Sequence, residues 1–165
     1  YAGDRVTAWL HPELDPGDTG YQILQSLYAI GSGGLFGLGY GKSRQKYLYL
    51  PFQYNDYIFA VICEELGLVG AMAIVALFAV TILRGYWIAL NARDRFSTVL
   101  AAGLVTLIAV QTILNLCVVT NLLPSTGIAL PFFSYGGTAL AVNLGEMGIV
   151  LGISRGRNRR KIQEA

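Results

Sequence analysis

The residues able to do chemistry fall in two groups between Gly31 and Asp56. The first is a run of glycines, Gly31, Gly33, Gly34, Gly37, Gly39 and Gly41, leading into Lys42, Arg44 and Lys46, which are interleaved with Ser43 and Gln45. Glycine admits positive φ and lets the backbone approach a ligand closely. The cations behind it form either a rim for an anionic headgroup such as a pyrophosphate or a solvated edge touching lipid phosphates. The second group is a single carboxylate, Asp56, after Asn55 and at the head of a long apolar run. There it suits a helix N-cap, and the helix macrodipole would favour its ionised form.

Two soluble nucleotide motifs fail on inspection. The P-loop pattern needs a glycine where Phe36 stands, and the dinucleotide pattern needs one where Lys42 stands. Cys63 and Cys117 have no metal-ligand spacing, and His11 is the lone histidine, so no zinc site is expected. Both cysteines read as apolar packing residues.

The elements that must position these groups are membrane spans. The chain is 54% hydrophobic and only 13% charged, about half the charged content usual in soluble domains, with a mean hydropathy of +0.51. It opens at Tyr1 rather than Met and is expected to continue a longer protein. Residues 1–20 are polar and broken by His11-Pro12 and Asp15-Pro16-Gly17-Asp18. Within them, Arg5–Leu10 reads as a short amphipathic piece. Trp9 suits a membrane interface and equally an ordinary loop. Residues 21–30 read as a short helix with Ile23, Leu27 and Ile30 on one face, too short to span and able to lie on or dip into the surface.

From Tyr57 the pattern is helical. The uncharged run Leu66–Leu83 would be about 27 Å long as a helix, enough to cross the apolar core. The division expected is an extracytoplasmic loop over 1–56, spans over 57–84, 97–120 and 134–153, loops over 85–96 and 121–133, and a basic tail over 154–165. Tyr86 and Trp87 fall at the edge of the first of those loops as interfacial anchors. Glu146 lies deep in the third span. It is expected to be hydrogen-bonded between helices, with Gln111, Asn115 and Asn143 as milder polar insertions.

Charge sets the topology. The 85–96 loop carries Arg93 and Arg95 and follows Arg84. The tail carries Arg155, Arg157, Arg159, Arg160 and Lys161, and the 121–133 loop has no charge. The positive-inside rule places the basic segments in the cytoplasm and residues 1–56 and 121–133 outside.

Three segments, GYQILQSLYAIGSGGLFGLGYGKSRQKYLYLP, NDYIFAVICEELGLVG and LPSTGIALPFFSYGGTAL, resemble in order and spacing the C-terminal part of the SEDS family of FtsW, RodA and SpoVE. The last segment is more similar to FtsW and SpoVE than to RodA. The resemblance implies an all-α integral membrane fold, these spans being the last three of a ten-helix protein of the bacterial plasma membrane. It implies a peptidoglycan glycosyltransferase that polymerises lipid II with loss of undecaprenyl pyrophosphate, in division, cell-shape or sporulation wall synthesis. The segment by itself is expected to be inactive. Implied partners are lipid II, a class B penicillin-binding protein, other divisome or elongasome membrane proteins and membrane lipids, with no nucleic acid. A divalent cation, Mg or Mn, is implied by the family only.

The family's essential acid falls on Asp56, and its substrate-binding elements fall on Gly31, Ser32, Gly33, Gly34, Gln45 and Lys46. Lys42 and Arg44 join them as candidates for the pyrophosphate. Where the family commonly has Leu-Pro-Glu, this chain has Leu50-Pro51-Phe52, so whatever that glutamate contacts has no counterpart here. Competing readings are a lipid II flippase and a non-catalytic scaffold for the wall-synthesis complex. The clustering of chemical groups at the outer surface, with only Glu146 deep, favours the enzyme.

The topology is directly testable. With Cys63 and Cys117 replaced, cysteines introduced at Ser43 and Ser125 are expected to react with an impermeant thiol reagent outside intact cells, and one at Ser97 to be protected. Labelling at Ser97 alone would reverse the orientation.

Overall fold

The computed structural model describes residues 2–12, 19–39, 41–42 and 56–163. Among them are five helices: α1 (Ala2–Leu10), α2 (Thr19–Ser32), α3 (Ile58–Leu90), α4 (Arg95–Val119) and α5 (Gly137–Gln163). Three are long and apolar enough to cross a membrane, Ile58–Leu90, Arg95–Val119 and Gly137–Gly156. They pack as a bundle with α4 against both α3 and α5, while α2 leans on α3 and α1 on α2.

The ends of the three long helices have local causes. Helix α3 continues through Gly85 to Leu90, so Tyr86 and Trp87 are helical. There the Tyr86 hydroxyl meets Thr106 Oγ1 at 2.8 Å, and Arg84 lies 5.6 Å from the Trp87 ring centre. Helix α4 starts early because Asp94 caps it. Asp94 Oδ2 accepts from the Ser97 amide at 2.9 Å, and this bond holds the carboxyl below the usual carboxylate range. Helix α5 begins at Gly137 rather than 134, since Pro131 to Tyr135 form turns, and it runs on to Gln163. The basic tail is therefore largely a helical extension.

The core has two parts. Ala29, Tyr57, Phe59, Ala60, Cys63, Ala71, Phe78, Val119 and Leu130 pack at the Asp56 end. At the other end, Ala89, Ala101, Val105 and Val150 pack together. Small residues let the helices approach closely there, the usual device in lipid, where apolar burial gives little drive for helix association. Cys63 is buried and Cys117 half-buried, both as free thiols. On α2 the buried stripe is Ile23, Ser26 and Ala29, whereas Leu27 and Ile30 are only partly covered.

The main departure from expectation lies inside α3. The expected continuous span is broken at Gly67, whose φ of 67° and ψ of −168° are not helical. An intact helix would bond Leu68 N–H to the Glu64 carbonyl and Val69 N–H to the Glu65 carbonyl. Both bonds are replaced by the glycine segment after α2. Leu68 and Val69 N–H donate to the carbonyls of Gly34 (2.9 Å) and Leu35 (3.2 Å), while Leu38 and Gly39 N–H donate to the carbonyls of Glu64 (2.9 Å) and Glu65 (3.0 Å). The segment Gly33–Gly39 thus plugs the gap in the helix. A Cβ at Gly33 would strike the Cys63 carbonyl, one at Gly37 the Glu65 carbonyl, and one at Gly67 the Gly37 amide nitrogen.

Gly67→Ala is expected to destabilise the full-length protein in detergent by roughly 1–3 kcal/mol or more, from backbone strain plus loss of the plug. Gly103→Ala, at an open helical position, should be neutral or stabilise by up to about 1 kcal/mol. Thermal unfolding compares the two, and equal midpoints would mean the plug contributes nothing.

Candidate functional site

Asp56 lies in the turn that leads into α3, half-buried. The N-cap position belongs to Tyr57, whose side chain makes no capping bond. What holds Asp56 is α4. Asn115, 1% exposed, donates its side-chain amide to the Asp56 carbonyl at 2.8 Å and to the Ile128 carbonyl at 2.8 Å. One amide therefore ties the start of α3 to the loop of residues 120–136. That loop bends at Gly127, where φ is 70° and where a Cβ would sit 3.6 Å from Asp56 Oδ2.

Helix α1 closes the same end. Arg5 Nη1 donates to the Ser125 carbonyl at 3.1 Å, and Trp9 Nε1 donates to the Asn121 carbonyl at 2.9 Å. Trp9 thus docks on protein. Residues of the N-terminal segment, Asp56 and the 120–136 loop meet at one end of the bundle.

The electrostatics of Asp56 differ from what its position in the chain implies. Burial pushes its carboxyl above the usual carboxylate value, and the Arg5 charge offsets this only in part. Desolvation of the charged form is the larger effect. The neighbouring Tyr57 hydroxyl is pushed up to about 12, first by burial and then by the Asp56 charge.

The candidate binding residues lie on α2 and the plug. Gly33 packs against the backbone of α3, so its lack of a side chain serves that contact; Gly31 and Gly34 face open space. Ser32 is exposed, with its hydroxyl donating to the Ala29 carbonyl at 3.0 Å. Lys42 is exposed just past the plug, its amide bonded to the Gly39 carbonyl at 3.1 Å. Arg44, Gln45, Lys46 and Phe52 lie outside the described residues. Beside the 120–136 loop, a cleft of about 340 Å³ is lined by residues that include Gln111, Thr138, Asn143 and Ile128. Among the described residues no group of three or more His, Cys, Asp or Glu side chains could hold a metal ion.

Sequence reasoning missed Arg5, Asn115 and Gly127 as members of this site. Asn115 stood out only as a polar residue in a span, and Gly127 only as a helix breaker. Glu65 and Glu146 are also buried, each 8% exposed, and each has a carboxylate oxygen without a hydrogen-bond partner among the described residues.

The family model of the FtsW, RodA and SpoVE cell cycle proteins matches residues 1–159. The chain is 50% identical over 155 residues to the stage V sporulation protein E of Bacillus subtilis, covering 94% of this chain and 42% of that protein. It is 48% identical over 154 residues to the probable peptidoglycan glycosyltransferase FtsW of Geobacter metallireducens, covering 93% and 41%. Among solved structures, one described as "Structural coordination of polymerization and crosslinking by a peptidoglycan synthase complex" superposes with a TM-score of 0.76 at 30% identity, over 93% of this chain and 41% of the other. The rod shape determining protein RodA of Thermus thermophilus, crystallised as an Asp-to-Ala mutant, gives a TM-score of 0.61 at 32% identity, over 80% and 40%. The chain therefore spans about two fifths of the length of the curated relatives it matches.

The raised pKa of Asp56 has a consequence for stability. The folded chain binds this proton more tightly than the unfolded chain, so stability falls as pH rises from the ordinary carboxylate value through the raised one. Asn carries no such charge. At neutral pH, Asp56→Asn is expected to melt at or above wild type, and the gap should close as pH drops below the raised pKa. A variant that melts well below wild type at neutral pH would show the carboxylate to be a stabilising group.

Proposed function

The chain belongs to the FtsW, RodA and SpoVE family, and we propose from that premise that the protein carrying it polymerises lipid II into peptidoglycan glycan strands, with Asp56 as general base. The observation that carries this reading is the placement of Asp56: a half-buried carboxylate pushed toward stronger basicity, held by its backbone, with no capping bond made by its side chain.

In the proposed step, a sugar hydroxyl attacks the anomeric carbon of the lipid-linked donor. Its oxygen forms the new glycosidic bond as the bond to the diphosphate oxygen breaks. The hydroxyl proton passes to Asp56, and the undecaprenyl pyrophosphate leaves with the bonding electrons. A base works best when its pKa lies near the operating pH, so burial of Asp56 serves the reaction provided the group stays ionised. The developing charge on the leaving group calls for cations or backbone N–H donors. Lys42, with Arg44, Gln45 and Lys46 beyond it, and the exposed Gly31, Ser32 and Gly34 are proposed for that contact. No step is assigned to a metal ion.

The likeness to a component of a synthase complex that couples polymerisation to crosslinking supports a class B penicillin-binding protein as partner. The lopsided charge of the loops supports an outward-facing Asp56 and a cytoplasmic C-terminus.

The test uses the full-length protein with its partner in detergent, where there is no bilayer to flip across. Asp56→Asn should fold and bind lipid II, yet polymerise it about 100- to 10,000-fold more slowly, as expected when a general base is lost. Polymer formed at a near wild-type rate would remove Asp56 from the chemistry. No polymer from the wild type itself would favour the flippase or scaffold reading.

A further inference from the structure

We propose that Asn115 is a positioning residue for this reaction: its side-chain amide registers Asp56 against the 120–136 loop, and turnover depends on that register. The inference rests on the reading of Asp56 as the base.

The start of α3 does little by itself to hold Asp56. Its N-cap residue, Tyr57, makes no side-chain capping bond. The Ala60 amide donates to the Tyr57 carbonyl at 3.0 Å, and the helix begins at Ile58. The Asp56 carbonyl therefore stands one residue outside the helical ladder, which starts with the carbonyl of the N-cap. Asn115 donates to that carbonyl at 2.8 Å, and the same nitrogen donates to the Ile128 carbonyl at 2.8 Å. Only the NH₂ end of an amide can meet two carbonyl oxygens, so the orientation of the side chain follows from its partners.

Filling space does not account for this residue. Asn115 lies on the buried stripe of α4 with Ile108, Thr112 and Val119. Thr112 donates its hydroxyl within its own helix, to the Ile108 carbonyl at 2.8 Å, whereas Asn115 donates to two segments outside it. Asn115 is 1% exposed, and its Oδ1 has no hydrogen-bond partner among the described residues. An unmet buried acceptor costs stability, so the two donated bonds are what the amide contributes. On the loop side, Gly127 lies beside Asp56 Oδ2, while Ile128 and Ala129 line the cleft. Packing around this stretch is thus incomplete on the cleft side, where the Asn115 bond fixes the backbone.

The test uses the full-length protein with its partner in detergent, with rates expressed per molecule able to bind lipid II. Asn115→Ala should lower kcat for glycan polymerisation about 10- to 100-fold, as expected when reacting groups are misplaced by about 1 Å. KM should change by less than about threefold. In an Asp56→Asn background the same substitution should cost less than about threefold, because it acts through the carboxylate. Equal losses in the two backgrounds, or an unchanged kcat, overturn the proposal. A second measurement needs no polymerisation, so it stands apart from the base reading. With Cys63 and Cys117 replaced, the thiol of Asp56→Cys should react about 10-fold faster with an impermeant maleimide once Asn115→Ala is added, as two hydrogen bonds are lost. An unchanged rate overturns the register itself. A faster rate, together with near wild-type polymerisation by Asp56→Asn, supports the register and overturns the reading of Asp56 as base. If Asn115→Ala does not accumulate, Asn115→Ser, which keeps one donor, should show smaller changes in the same directions. No change in either measurement overturns the proposal.

Discussion

Four backbone groups at Gly67 set the constraint on which the rest of this structure depends. Within lipid there is no water to satisfy a carbonyl or amide freed from a helix, and each one left unpaired costs several kcal/mol. Here the carbonyls of Glu64 and Glu65 and the amides of Leu68 and Val69 lose their helical partners and gain Leu38, Gly39, Gly34 and Leu35 in their place. The exchange is one for one for these four groups. It also explains why the plug is glycine-rich. Backbone must meet backbone across this contact, and a side chain at Gly33, Gly37 or Gly67 would collide with main-chain atoms.

The candidate site follows from that exchange. The plug pins the end of α2 to the first segment of α3, and Asn115 pins the start of the same segment to the 120–136 loop. Asp56 therefore stands at the head of a short piece of helix fixed at both ends. Its electrostatics come from where that piece lies. Desolvation raises its pKa, and Arg5, brought in by α1, lowers it. A macrodipole argument from sequence sees only the helix start; it has no access to the burial of Asp56.

Much of this was legible in the sequence. The three apolar helices follow from hydropathy, and the place of Asp56 at the head of the first follows from the polar–apolar boundary at Tyr57. The break was not legible, because Leu66-Gly67-Leu68-Val69-Gly70 reads as ordinary span, and glycine is common in membrane helices. The glycine run was read as a ligand cradle, since positive φ and close approach look alike whether the neighbour is a ligand or another stretch of backbone. Gly33 and Gly37 in fact lie against α3. Arg5 was hidden for a different reason. It meets Ser125 across the length of the chain, and a polar N-terminal stretch gives no sign of that contact.

The break also decides what Asp56 moves with. In a continuous α3, a 33-residue helix would tie the carboxylate rigidly to the packing of Ala89, Ala101 and Val105 at the far end of the bundle. With the ladder interrupted at Gly67, the segment carrying Asp56 takes its orientation from α2, Asn115 and the 120–136 loop instead. Gly31 lies on α2, Gly34 and Lys42 follow it in the chain, and Arg5 is bonded to that loop. A carboxylate that must meet a hydroxyl within hydrogen-bond reach is better referenced to the groups lining its own site than to the opposite face of a membrane. The cost of that arrangement is a helix that holds together only while a loop of glycines stays inside it.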